Sequence, residues 1–468
     1  MKTIMGLETE YSIMTTGSLD NDFRAHLREV IRTFVGRKVD LRQIKKCSKG
    51  YPLPMDEGHA ARPIYFGGMN GDGTVPYLYQ WLPNGGLTYI DVGCHVEYST
   101  PECSGPANLV IDDKAGERII EKRFPRHAVF KNNAGTDFGH PENSKSARRK
   151  ISVYGCHENY YVPEKLVLIA DSKHLASFLA TRQIFTGSGS VREGSYTLSQ
   201  KLRSPNNISK LQVSGRLSVR DGDANMSEMA TYMKAGTTAI VLSLLNAGRH
   251  PGNVLEDAVK SFYDIACDLS LQHKAALSSP GGAKATAVEI QRAFLDEARR
   301  MQKENREWKK DRESADILNR WEYTLDELSR NPVENPWRLG RWYDCWLKLA
   351  MLEDLMAKEG FSLGDQQAET FDLYYHLLGE DGLFYMLQAR GATERIVTDR
   401  QIEEAVSAPP NDTRAFYRGN AVGKGTIRFT ERCWEKVDVR VGEKWLIVDL
   451  SDPYDPKRNL ARQHGLLD

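Results

Sequence analysis

The chain has no apolar run approaching the ~20 residues needed to cross a bilayer. Its first residues, MKTIMGLETEYS, carry acidic side chains where a signal peptide needs an apolar segment. Both absences point to a cytoplasmic protein with no membrane partner. There is no excess of charge of one sign, since 63 Lys and Arg balance 63 Asp and Glu. The overall balance therefore gives no support to nucleic acid as a partner, whose binding depends on a concentrated cationic surface. There is no CxxC pair, and the seven cysteines are odd in number and scattered, which argues against a disulfide framework or a thiolate zinc site. Neither GxxxxGK[ST] nor a GxGxxG after a strand occurs, so a P-loop or Rossmann nucleotide site is not supported.

What is present divides along the chain. The first half reads as strands broken by turn-rich loops, with IMGLETEYSIM, LTYIDVGCHVEYST, HAVFKNN and SVYGCHENYYV as the extended runs. An early helix spans roughly 21 to 35. The connection between that helix and the next strand contains GYPLP, FGGMNGDGTVP and LPNGG, and its part from Gly36 to Pro83 reads as a long mobile loop or insertion. The second half is helical, notably TYMKAGTTAIVLSLLNAG and a charged amphipathic run from Ala287 to Arg330 whose charges read as a solvated face. The character changes again after Val397, which predicts a large domain over 1–395 and a small C-terminal domain over 396–468. The fold class is α+β, an antiparallel sheet carrying the chemistry with helices packed beside it.

The chemistry lies in acidic and histidine side chains at alternate positions. Glu8 and Glu10 are two apart in an extended run, so both carboxylates leave one face. Tyr89, Asp91, His95 and Glu97 share parity and line one face if their strand is unbroken. Two readings stand: the solvent side of a half-exposed sheet, or a hard-cation site in which carboxylate oxygens hold magnesium. The clustering of His, Glu and Tyr favours the second. YGCHENYY adds His157, Glu158 and Asn159, and GDANMSE adds Asp223, Asn225 and Glu228, where Asn225 or Ser227 also suits a helix cap. FTGSGS (Phe185 to Ser190) is a weak candidate for presenting backbone N–H groups to phosphate. Cys94 and Cys156 each precede a histidine, but adjacent strand residues face opposite ways, which disfavours a Cys-His nucleophile.

These residues sit in blocks that resemble a known family. MGLETEYSI, NGGLTYIDVGCHVEYSTPEC, FKNN, YGCHENYYV, TRQIFTGSG, GDANMSE, YMKAGTTAIVL and PPNDTRAFYRG are similar, in the same order from Met5 to about Gly419, to blocks of the Pup ligases and Pup deamidases or depupylases. The resemblance implies a large domain related to glutamine synthetase and the carboxylate-amine ligases, a small C-terminal domain, ATP and Mg2+ as cofactors, and Pup or a Pup-like modifier as partner. In the ligases ATP phosphorylates the side-chain carboxylate of the modifier's C-terminal glutamate, and a lysine of a protein substrate then attacks. In the deamidases the same fold hydrolyses a C-terminal glutamine or the isopeptide bond. Carried over by position, Glu8, Tyr89 and Glu97 match metal-binding residues, to which the alternation adds Glu10. Asp91 matches the catalytic carboxylate, and Thr100 and Trp434 match nucleotide contacts.

The chain departs from the family at two places. Leu87 stands where the resemblance leads one to expect an arginine, and Ser218 where it leads one to expect a histidine; Arg216 and Arg220 are the nearby candidates to replace the missing cation. DVGCH, GCHENY, NMSE and DPY resemble the ligases, whereas TPEC, FTGSG, YMKAGTTA, PPNDTRAFYRG and the stretch 36–83 resemble the deamidases. The neighbourhood of Asp91 tips the reading towards a ligase. The alternatives are a deamidase or depupylase, and a non-catalytic homologue that binds modifier or nucleotide.

Overall fold

The structure is a computed structural model that describes residues 3–14, 23–36, 65–69, 76–91, 95–132, 134–136, 151–153, 155–162, 173–201, 209–212, 215–252, 254–279, 281–428 and 434–467. Its centre is an antiparallel sheet. The strands used below are β1 (Met5–Met14), β2 (Tyr65–Met69), β3 (Pro76–Trp81), β4 (Leu87–Ile90), β5 (Val96–Ser99) and β6 (Ala128–Phe130). Among the described residues the spatial order is Ser209–Gln212, Arg216–Val219, Cys156–Tyr161, β1, β5, β4, β3, β2, with β6 pairing the end of β1.

Alternation along these strands separates two faces. Leu7, Cys156, Tyr160, Leu217 and Val219 turn one way, into an apolar core shared with the helices Lys173–Thr186 and Glu228–Asn246. Val96, Tyr98 and Ile90 turn the same way, towards Ile120 and Phe124. Tyr98 lies so close to the helix Pro106–Arg123 that a Cβ on Gly116 would sit 2.3 Å from its ring. The opposite face carries Glu8, Glu10, Tyr89, Glu97, His157 and Asn159. One side of the sheet is thus held by burial, and the other is left for chemistry.

Two expectations change, and a third gains detail. LTYIDVGCHVEYST is a hairpin and not one strand: β4 and β5 pair Tyr89 with Glu97, and Asp91 N donates to His95 O at 2.9 Å. Because opposed residues of an antiparallel pair share a face, the same four side chains still converge. Second, the stretch 36–83 is not wholly loop, since Tyr65–Met69 and Pro76–Trp81 are strands at the sheet edge. Aromatics at Tyr79 and Trp81 give that segment its strand character, and the flanking Gly and Pro disguise it. Residues 37–64 and 70–75 lie outside the described residues. Third, the charged run after Ala287 is three helices, Ala287–Glu304, Arg306–Lys310 and Arg312–Leu328. Asn305 and Asp311 interrupt it because each side chain caps the helix that follows. The buried Ile290, Phe294 and Ala298 recur at helical spacing, as an amphipathic reading requires.

Beyond residue 396 the helix Asp399–Ala405 packs on Pro106–Arg123, with Arg118 bonded to Asp399 and Glu403. A separate three-stranded sheet follows at Ile427–Arg428, Lys436–Val441 and Lys444–Asp449. No helix among the described residues is long and apolar enough to cross a membrane.

Candidate active site

β1 places Glu10 directly opposite Glu97 of β5, and β4 places Tyr89 opposite Glu97. Carboxylate oxygens of Glu10, Asp91 and Glu97 all lie within 4.8 Å of one another. Tyr89 donates its phenolic hydrogen to Glu97 Oε1. Glu10 is held from two sides: Gly155 N donates to its Oε1 at 2.8 Å, and His95 Nδ1 lies 2.9 Å from its Oε2. Glu8 stands further along the same face, with Arg216 Nη1 at 3.4 Å from one oxygen and His157 Nδ1 at 3.6 Å from the other.

This crowding has an electrostatic cost. Burial, then the charges of Glu10, Glu8 and Asp91, push the Glu97 carboxyl well above its ordinary range, against the bond from Tyr89. Glu10 goes the other way, because bonds and charge from His95, Gly155 and His157 outweigh its burial. Oxygen donors packed this closely relieve their repulsion by taking up either a proton or a hard cation, and the donor set suits magnesium. The residues present therefore fit such an ion, with Glu10, Asp91 and Glu97 nearest to one another.

Next to Glu8 a pocket of about 280 Å³ opens between the start of β1 and the end of the Cys156–Tyr161 strand on one side and the C-terminal segments on the other. Thr100, Arg216, Arg414 and Trp434 line it. Thr100 is fixed by exchanging bonds with Leu7: its N donates to Leu7 O at 2.9 Å, and its Oγ1 accepts from Leu7 N at 3.1 Å. Asn159 Oδ1 and Arg216 Nε, both on the pocket's lining residues, have no hydrogen-bond partner among the described residues. A ligand with both donors and acceptors suits that wall.

All seven site residues singled out from the sequence are brought to this one face or its pocket: Glu8, Glu10, Tyr89, Asp91 and Glu97 on the face, Thr100 and Trp434 in the pocket. Other candidates are structural. Glu158 points into the core and forms a buried ion pair with Arg182, so only His157 of that dipeptide reaches the cleft. Asp223 accepts from Ser188 N at 2.8 Å and from Gln200 N at 2.9 Å. The N–H groups of Gly187, Ser188 and Gly189 in FTGSGS therefore all bond within the protein, and the phosphate reading of that loop fails. Ser227 caps the helix Glu228–Asn246, and Glu228 accepts from the N–H groups of Ile396 and Val397. Cys156 turns to the core, away from His157, while Cys94 lies outside the described residues. Leu87 is buried in an apolar cluster with Tyr79 and Trp81. Of the two proposed replacement cations, Arg216 lines the pocket. Sequence reasoning missed Glu102, Arg414 and Arg418, which meet across more than 300 residues; no local spacing signals such a meeting.

The family model described as Pup-ligase protein matches residues 3–214 and 205–438. A depupylase of Acidothermus cellulolyticus is 31% identical over 476 residues, covering 93% of this chain and 91% of that protein. A Pup–protein ligase of Acidimicrobium ferrooxidans is 34% identical over 403 residues, covering 80% of this chain and 86% of that one. The crystal structure of the complex between Pup and its ligase PafA matches with TM-score 0.77 at 25% identity, covering 99% of this chain and 91% of that chain. The structure of PafA in complex with ADP matches with TM-score 0.71 at 26% identity, covering 83% and 90%.

Proposed function

The chain belongs to the Pup-ligase family, and on that premise we propose that it is an ATP-dependent ligase joining the side-chain carboxylate of the C-terminal glutamate of Pup, or of a Pup-like modifier, to a lysine of a protein substrate. The observation that carries this reading is the contiguity of two things on one sheet face: the Glu10–Asp91–Glu97 cluster and the pocket lined by Thr100 and Trp434, joined through Glu8. The ADP complex of the similar PafA supports a nucleotide as ligand, and we assign it to that pocket. We assign the carboxylate chemistry to residues 1–395 and part of the pocket wall to the unit 396–468.

Glu8, Glu10 and Glu97 would hold magnesium, with Tyr89 fixing the Glu97 carboxylate. When bound, the ion neutralises phosphate charge and favours transfer to an oxygen nucleophile. The protein's own side chains do the rest. A lysine amine is protonated at neutral pH and attacks only after losing a proton. Asp91, at the mouth of the β4–β5 hairpin, accepts that proton. Arg216 balances phosphate charge where the family arginine is replaced by Leu87.

A second reading, hydrolysis of a C-terminal glutamine or of the isopeptide bond, is favoured by the length of the match to the Acidothermus depupylase. In that case Asp91 activates water or attacks directly. One experiment separates the two. The protein is incubated with ATP, magnesium and a modifier ending in Glu or in Gln, together with a lysine-bearing acceptor, and masses are followed by spectrometry. A conjugate formed from the Glu form supports the ligase. Conversion of Gln to Glu, or release of modifier from a conjugate, supports the hydrolase.

A further inference from the structure

Two arginines four residues apart converge on one carboxylate. Arg414 Nε donates to Glu102 Oε1 at 2.6 Å, and Arg418 donates to both Glu102 oxygens, to Oε1 at 3.3 Å. The same guanidinium groups reach backbone carbonyls of three other segments. Arg418 donates to Gly85 O at 2.8 and 3.0 Å and to Trp434 O at 3.4 Å, and Arg414 donates to Leu450 O at 2.8 Å. Arg418 also lies against the rings of Trp81 and Trp434, at 5.0 and 4.7 Å from their centroids, while the two indoles meet edge to face at 4.8 Å. Glu102, Arg414 and Trp434 all line the pocket.

We propose that the Glu102–Arg418 pair is a positioning device for nucleotide: it fixes the indole of Trp434 at the pocket wall, and nucleotide affinity depends on it. This rests on the reading of the pocket as a nucleotide site. Arg418 is fully buried, and a buried guanidinium whose donors are satisfied in a fixed fork has few alternative placements. The ring stacked on it is correspondingly fixed. Lysine at 418 keeps the charge but not the planar fork, so it cannot hold Glu102, Gly85 O and the Trp434 ring together.

The test is an ADP titration of the full chain with magnesium, read by tryptophan fluorescence and by calorimetry, with the ligand-free melting temperature of every variant. The unaltered protein shows a fluorescence change that is lost in Trp434→Phe. Arg418→Lys weakens ADP by tenfold or more and reduces the Trp434 signal, and Glu102→Gln does the same. Trp434→Ala, which leaves the ion pair in place, weakens ADP by a comparable factor and decides the matter if the pair variants do not fold. ADP binding undiminished in folded Arg418→Lys or Glu102→Gln overturns this inference alone, as does undiminished binding in Trp434→Ala. No ADP binding by the unaltered protein overturns the nucleotide reading and this inference with it.

Discussion

Glu10 and Glu97 face each other across the β1–β5 ladder, so two buried carboxylates occupy a spacing that neither tolerates while both are charged. Burial, then the charge of Glu10, pushes the Glu97 carboxyl well above its ordinary range. Glu97→Gln removes the conflict, and should raise the melting temperature in EDTA by about 2 °C or more. The same variant should lose the stabilisation that magnesium and nucleotide together give the unaltered protein. Melting curves of both proteins with and without magnesium and ADP check this. Equal stabilisation of the two would remove Glu97 from the metal site.

The dipeptide His157–Glu158 divides between the two faces of the sheet. Glu158 neutralises the fully buried Arg182 and accepts from Tyr160, so Glu158→Gln removes the nearer of two carboxylates, leaves Asp221 at 3.9 Å to balance the buried cation, and should cost about 3 kcal/mol. His157 lies on the cleft side, and His157→Ala should cost less than about 1 kcal/mol. Chemical denaturation of the two variants measures the contrast. A reversed order would mean that the register of this strand is wrong.

Asp112, buried beside Cys103, is pushed up to about 8 by its burial. Its folded carboxyl therefore holds a proton that the unfolded chain releases near 3.8. The stability it contributes is fully present below 3.8 and is lost as pH rises through about 8, at a slope of about 1.4 kcal/mol per pH unit inside that window. Asp112→Asn abolishes the slope. Its stability relative to the unaltered protein should rise steadily between about pH 5 and pH 8. Denaturant unfolding of both proteins across that range gives the answer, and a constant difference would show that Asp112 is ionised throughout.

Much of the site was legible from alternation alone. Glu8 and Glu10 share a face because strand periodicity is local, and no tertiary knowledge is needed to see it. The Asp91–Glu97 set was legible for a different reason from the one the sequence suggests. A hairpin register restores the common face that an unbroken strand would have given, because positions with a fixed sum stay opposed. That His157 reaches the cleft while Glu158 turns to the core also follows from periodicity once the strand's phase is known. What local pattern does not carry is the pairing of distant charges. Asp223, Asn225 and Glu228 look like ligands, yet they satisfy backbone N–H groups and side chains far along the chain. Glu102 and Arg418 look ordinary, yet they join two parts of the pocket wall.

On the proposed mechanism Asp91 is the group that moves the proton. It lies beside Glu10 and Glu97 at the hairpin mouth, on the same face as Glu8 and the pocket lined by Thr100 and Trp434. Asparagine has nearly the same shape but accepts no proton. The decisive measurement is a single-turnover assay of Asp91→Asn, with ATP cleavage and modifier transfer followed separately and ADP affinity determined alongside. Binding should survive while transfer falls by roughly two or more powers of ten. Transfer at a rate close to that of the unaltered protein would rule out Asp91 as the proton acceptor and leave it as a turn residue of the β4–β5 hairpin.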